Sequence, residues 1–351
     1  MVLYDFSLKR SGAIFGSDDR SVNVTAVENC VAGREILLME AGLHKSELTF
    51  DYPALAGWRW PAVEIVGQRP GPRLAIIAGV HVNETSSIEA VIRLQRVIDP
   101  AKLKGRISII PIVNLPAIPL RSQYVCPLDD KNINFSFPGR PDGSFSEAIA
   151  HALLNDWAKD ADCFADLHGG DLCEEVSHFM VVQRTGDQAF DRRNLEIAQC
   201  FDAEIIASID PSHMDRPARS VTGRAKRGQH AAFAEAGRIG LIEEANVAYH
   251  FDGLLRLLHN FGMTDHAPAK SREAVIITRY HWIPAPVDGF FRYHIEPGQK
   301  VARGTLLAIA ENTYGEEIAR VTAPEDGHIL WRITHALSPR DSFIVGLGTK
   351  D

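Results

Sequence analysis

With 351 residues, 45% hydrophobic and 23% charged, the chain is long enough for one large α/β domain and a smaller one. Its formal charge of -8 comes with scattered Lys and Arg and no basic run, which excludes an electrostatic nucleic-acid binder. No apolar run reaches the length of a membrane span, no secretory signal is visible, and five cysteines without CxxC spacing exclude a disulfide framework, so a cytoplasmic protein with reduced thiols and no membrane partner is expected.

From about residue 20 to 70, short alternating stretches with Gly and Pro punctuation predict an antiparallel start to a sheet. The near-continuous apolar run from Arg73 to Val80 then reads as a strand buried on both faces. Helical spacing of Ile88, Val91, Ile92 and Ile98 predicts a helix over Thr85–Asp99, stopped by Pro100. Ile107–Asn114 reads as a second buried strand. Ser144 and Glu147 form a capping box for a helix through Trp157. Further strands are expected at Cys163–His168, His178–Gln183 and Ala203–Ser208, with a helix around Asn194–Cys200. Gln229–Ala236 looks helical, and the following Arg238–Ala245 looks like a strand.

This alternation predicts an α/β fold, with a mixed, largely parallel sheet flanked by helices over residues 1–278, the first 70 of them β-rich. From about Arg279 the helical period is lost. Ala285-Pro-Val-Asp-Gly289 recurs as Ala323-Pro-Glu-Asp-Gly327, an internal repeat that predicts a small β-sandwich or barrel over 279–351. That segment resembles biotinyl and lipoyl carrier domains. The tip, Glu311–Gly315, has no Lys to modify, so a carrier function is not expected.

The chemistry-bearing residues gather at strand ends. His81 and Glu84 lie in Gly79-Val-His-Val-Asn-Glu84, where the first buried strand gives way to a helix. An imidazole and a carboxylate three residues apart there can converge on one cation, although a capping carboxylate beside an ordinary His has the same spacing. His168, in Ala165-Asp-Leu-His-Gly-Gly170, ends another buried strand and points into the crevice at its carboxyl edge. Asp166 shares that face and can orient an imidazole, or simply bond a neighbouring loop.

These motifs, with Asn132-Ile-Asn-Phe-Ser-Phe-Pro-Gly139 and the later Ile242-Glu-Glu-Ala245, occur in the order used by the succinylglutamate desuccinylase/aspartoacylase family of zinc-carboxypeptidase-like deacylases, which the chain resembles from about Arg73 to His259. The resemblance implies one Zn2+ per chain on His81, Glu84 and His168, and water attacking an amide carbonyl with a Glu as general base. The family's pattern of Glu, a small or apolar residue, then Gly aligns with Glu244-Ala-Asn246, which makes Glu244 the expected base, with Glu243 facing away. It also implies a small N-acyl amino acid or related amide as substrate, and a homo-oligomer.

Asn134 matches the family's substrate-contacting Asn, and Asn132 stands where an Asp is more usual. Arg121 lies in the stretch where relatives place a carboxylate-binding Arg, or is a solvated surface residue. Phe135 is the sharpest departure: the family carries an Arg there, and a phenyl ring can neither donate nor pair with a carboxylate. Either the substrate offers an apolar group at that subsite, or another Arg fills the vacancy, with Arg121, Arg140, Arg216 and Arg219 as candidates. The competing functions are a metallocarboxypeptidase acting on peptides and a catalytically inactive zinc-binding relative used as a binding module.

Overall fold

The computed structural model describes residues 27–31, 39–215 and 218–350. Among the described residues, β1 (Val27–Val31), β2 (Gly42–Thr49) and, after a 3-10 turn at Pro53–Leu55, β3 (Trp60–Val66) lead into β4 (Arg69–Ile77), the apolar run recognised in the sequence. β2 and β3 are antiparallel as expected, whereas β1 runs parallel to β2. Leu74, Ala75, Ile76 and Ile77 of β4 are almost wholly buried. Each buried Leu or Ile contributes roughly 1.5–3 kcal/mol of transfer free energy.

Helix α1 (Thr85–Val97) crosses over to β5 (Lys104–Ile110), which pairs parallel to β4. Helix α2 (Phe145–Ala152) starts at the expected box, with the Ser144 N–H donating to the Glu147 carboxylate at 3.1 Å. There follow β6 (Cys163–His168), β7 (Glu174–Gln183), α3 (Gln188–Ala198), β8 (Ile205–Ile209), α4 (Ser220–Ala225), β9 (His230–Arg238) and α5 (Glu244–Asn260). The parallel centre of the sheet runs β5-β4-β6-β9, and antiparallel β7 follows. Side-chain alternation splits the core into two layers. Ile77, Phe164 and Phe233 face α2 and α4, and Ile76, Leu167 and Ala234 face α1, α3 and α5.

Two local readings are exchanged. Gln229–Ala236, which looks helical, is mostly β9, and the stretch read as a strand after it is a turn at residues 239–240 followed by the start of α5. The Ala-rich composition of β9 favours a helix in isolation, but small side chains suit a central strand covered on both faces, and tertiary burial overrides the propensity.

The rest is β: β10 (Val275–Ile277), β11 (Arg279–Pro284), β12 (Gly289–Tyr293), β13 (Lys300–Val301), β14 (Leu306–Glu311), β15 (Glu317–Thr322), β16 (Gly327–Ile333), β17 (Leu337–Ser338) and β18 (Phe343–Thr349). β15-β14-β12-β17 form a separate antiparallel sheet around its own core of Phe291, Leu307, Ile329 and Leu347. β16, β18 and β11 extend the large sheet, because β16 pairs antiparallel with the first residues of β7, Ile333 opposite Glu174. The repeat is a structural one. Asp288 accepts from the Arg340 N–H and Asp326 from the Arg303 N–H, both at 2.7 Å, and Ala285 and Ala323 each bond the opposite turn.

Gly253 in α5 yields a stability test. A Cβ there would lie 2.2 Å from the Phe201 ring. Gly→Ala in a helix normally gains about 0.5–1 kcal/mol. Gly253→Ala is expected instead to lower stability by about 1–3 kcal/mol through overpacking, read as a fall in the urea midpoint.

Candidate metal centre and catalytic cleft

The site assembles where the parallel strands end. β4 and β6 are hydrogen-bonded neighbours, Ile77 opposite Asp166, so the loop after β4 and the last residues of β6 lie side by side. His81 sits in that loop, Glu84 directly precedes α1, and His168 is the final residue of β6. A Cβ on Gly169 would lie 2.4 Å from the Ala236 carbonyl, and one on Gly170 2.6 Å from the carbonyls of Glu174 and Gly237. The two glycines after His168 therefore let β6, β9 and β7 close around the site.

All three side chains are buried. His81 Nδ1 lies 2.7 Å from Glu84 Oε1, and His168 Nδ1 lies 3.0 Å from Glu84 Oε2. The opposite nitrogens face oxygen acceptors: His81 Nε2 is 2.9 Å from Asn132 Oδ1, and His168 Nε2 is 3.0 Å from Asp166 Oδ1. An acceptor on Nε2 fixes the ring and turns the Nδ1 lone pair toward the centre, the usual support of a metal-binding imidazole. Candidate donor atoms of His81, Glu84 and His168 lie within 4.8 Å of one another. Glu84 Oε2, Asp166 Oδ1 and both ring nitrogens of His168 are buried without hydrogen-bond geometry to any partner, so Asp166 faces His168 as a close charge and the hydrogen-bonded acceptor is the one at His81. Such atoms cost about 1–3 kcal/mol each unless something satisfies them, and the donor set fits a divalent cation.

The electrostatics agree. Burial raises the Glu84 carboxyl, but the two histidines outweigh it and bring the pKa down to about 2. Burial lowers both imidazoles; Glu84 reverses this at His81, and Asp166 with Glu84 lifts His168 well above its ordinary value. A carboxylate this deep demands positive charge beside it.

The remaining expected residues divide. Asp166 is fully buried beside His168 and accepts from the Ser220 hydroxyl at 2.5 Å. Asn132 faces His81, and its side chain also accepts from the Asn134 N–H at 2.9 Å. Asn134 is buried with its Oδ1 unpartnered. Arg121 is exposed, and its backbone carbonyl bonds the Asn83 side chain. Phe135 is 46% exposed, with the Arg219 guanidinium 5.2 Å from its ring centroid. Arg219 also lies 5.8 Å from the Phe233 ring, on which His168 stacks at 4.5 Å. Its Nε is buried and unpartnered. Among the candidates for the missing Arg, Arg219 lies against Phe135 and Phe233; Arg140 lines a pocket with Asn132 and Phe135 but pairs with Glu147, and Arg216 falls outside the described residues.

Glu244 is misplaced for a base. It opens α5 with its side chain 74% exposed and its carboxylate bonded by Arg93 at 2.8 Å, and Glu243 pairs with Arg238. The misreading of β9 as a helix moved the expected strand end from Arg238 to Ala245. Near its true end the strand holds Glu235-Ala-Gly237, which carries the Glu, small residue, Gly pattern. Glu235 lies directly opposite His168 in the β6–β9 ladder, on the face that carries Asp166 and Phe233. Burial, opposed by His168 and reinforced by Glu84 and Glu174, holds its carboxyl well above the ordinary range. A second group not foreseen is Tyr280 of β11, whose hydroxyl accepts from Trp331 Nε1 and lies in the field of Arg219, Glu174 and Glu235.

A profile of the succinylglutamate desuccinylase/aspartoacylase catalytic domain matches residues 70–259. The chain is 29% identical over 203 residues to the N-alpha-acetyl-L-2,4-diaminobutyric acid deacetylase of Halomonas elongata, a match covering 58% of each; it thus spans less than two thirds of that relative. The product-bound ectoine utilization protein of Ruegeria pomeroyi superposes with a TM-score of 0.78 at 24% identity, over 90% of this chain and 98% of that one. A succinylglutamate desuccinylase of Silicibacter sp. gives 0.76 at 21%, with the same coverage, and a succinylglutamate desuccinylase/aspartoacylase of Rhodobacter sphaeroides gives 0.75 at 22%, over 89% and 96%. These structures share the fold. Among the described residues no helix is long and apolar enough to cross a membrane.

Elemental analysis tests the centre. Purified wild type is expected to carry about one divalent ion per chain, lost in His168→Ala. A chelator should lower the melting temperature of wild type and leave that of the variant unmoved.

Proposed function

The chain belongs to the succinylglutamate desuccinylase/aspartoacylase family, and from that premise we propose that it is a zinc-dependent deacylase of small N-acyl amino acids. The observation that carries the reading is the convergence of His81, Glu84 and His168 with Glu235 on the strand beside them. His81, Glu84 and His168 would hold a zinc ion, which would supply carbonyl polarisation and a water nucleophile near neutral pH.

The chain's own residues do the rest. Asp166 and Asn132 hold the two imidazoles in register. Glu235, its proton affinity raised by burial, takes the proton of the attacking water as oxygen bonds to the amide carbon, and returns it to the departing nitrogen as the C–N bond breaks. The products are a carboxylic acid and an amino acid. Arg219 replaces the family Arg lost at Phe135: the residue is half-buried, its guanidinium lies over the phenyl ring and its Nε has no partner, so it can pair with a substrate carboxylate. The Ser220–Asp166 bond ties the start of α4 to the metal side of the cleft, so carboxylate and amide are positioned from one frame. Asn134, with its free Oδ1, is a second polar contact for substrate.

Glu235→Gln should reduce kcat by about 10²–10⁴ with metal content intact, whereas Glu244→Gln should leave turnover unchanged. The assay is release of free amine from a panel of N-acetyl amino acids that includes Nα-acetyl-2,4-diaminobutyrate. The reverse pattern would return the base to α5. Arg219→Ala should raise KM about tenfold or more for substrates bearing a free carboxylate, with a smaller effect on the matching amides.

A further inference from the structure

Asp171 is wholly buried in the turn after β6, and the proposed chemistry does not use it. Its carboxylate is filled by three N–H groups: Asn83 Nδ2 at 2.9 Å, the Tyr124 N–H at 3.0 Å and the Leu172 N–H at 2.6 Å. Asn83 stands between His81 and Glu84 in the loop after β4, and its Nδ2 also donates to the carbonyls of Arg121 at 3.3 Å and Ser122 at 3.2 Å. Gln123 Nε2 adds a contact to Cys173 Sγ at 3.1 Å. Residues 121–124 are thus strapped to the two segments, after β4 and after β6, that carry or adjoin the proposed metal donors.

The strap is not in a relaxed shape. Arg121 and Tyr124 have φ of 49° and 59°, the left-handed region that residues with a Cβ rarely adopt. Two such residues in so short a stretch persist only where their surroundings hold them, and strain of this kind gathers at functional sites. The holding groups are Asp171, at the Tyr124 N–H, and Asn83, at the Arg121 carbonyl. What they hold in place is an aromatic contact. The Tyr124 ring stands edge-on to the His81 ring, centroids 5.8 Å apart and planes at 87°. Glu84 and Asn132 face the two nitrogens of His81 and set where the imidazole points, while the Tyr124 ring limits its tilt.

We propose that Asp171 is a positioning residue: with Asn83 it locks residues 121–124 in a strained shape that sets Tyr124 against His81 and so fixes the metal-binding imidazole. This rests on the zinc-holding part of the proposed function and is independent of which bond is cut.

Zinc competition with a chromophoric chelator tests it on wild type, Asp171→Asn, Tyr124→Ala and the double variant, the melting temperature of each metal-free protein being checked. Asp171→Asn keeps the volume but sets an amide N–H against the N–H groups that the carboxylate accepts from. Each single variant is expected to bind zinc about ten- to a hundredfold more weakly, and the double variant no more weakly than the worse single, because both remove the same contact. Hydrogen exchange on the metal-free protein gives a second reading. The Tyr124 amide is expected to be protected in wild type and to exchange about tenfold faster or more in Asp171→Asn, with β4, β6 and β9 unchanged. Unaltered zinc affinity in Asp171→Asn, losses that add in the double variant, or a Tyr124 amide without protection in wild type would overturn the assignment, and the last of these needs no variant to fold. Non-additive losses of zinc affinity in a protein that turns over no acyl amide would uphold the role of Asp171 and overturn the deacylase reading.

Discussion

Glu84 is a carboxylate buried between two imidazoles, each of its oxygens within 3.0 Å of a histidine Nδ1. An isolated charge at that depth is too costly to keep, so the arrangement exists only with compensating positive charge. Around it the sheet falls into place. β4 and β6 must be adjacent and parallel for the His81 loop and His168 to meet; β9 must lie next to β6 for Glu235 to reach the same point; and the glycines after His168 must be bare for three strands to approach. The central, doubly covered part of the sheet provides the rigidity that a set of converging donors requires.

The cleft separates its tasks by strand. The proposed donors and base come from the loop after β4, from β6 and from β9, whereas the proposed contact for the rest of a ligand, Arg219, stands at the start of α4. Arg219 is the proposed replacement for a lost side chain. The family position is occupied by Phe135, and a guanidinium distant in sequence lies over that ring, so positive charge is retained while its point of attachment changes.

The strand–helix alternation, the capping box at Ser144 and the change to all-β near Arg279 were legible from the chain, because each rests on local pattern: apolar period or cap chemistry. The meeting of His81, Glu84 and His168 was implied by the family resemblance, spacing alone leaving a capping carboxylate as the alternative. The proposed base was not legible. Ala231–Ala236 has the composition of a helix, and only its place between two strands makes it one of them; once it is misread, Glu235 disappears into a helix and the more conspicuous Glu243–Glu244 pair takes its role. The tripeptide Glu235-Ala-Gly237 was the available signal. Arg219 was one of four arginines the sequence offered for the vacancy at Phe135 without ranking them, because proximity to that ring is a property of three-dimensional neighbours.

The pairing of β16 with the first residues of β7 gives the carboxyl-terminal β unit a larger part than that of an appendage. It fixes the backbone of Glu174 and, through β11, supplies Tyr280, yet contributes nothing to the donors around Glu84. The last seventy or so residues thus touch the cleft only at its edge, while the donors and Arg219 belong to the sheet and helices before them. Remodelling the β unit would reshape that edge and leave the frame around Glu84 as it is.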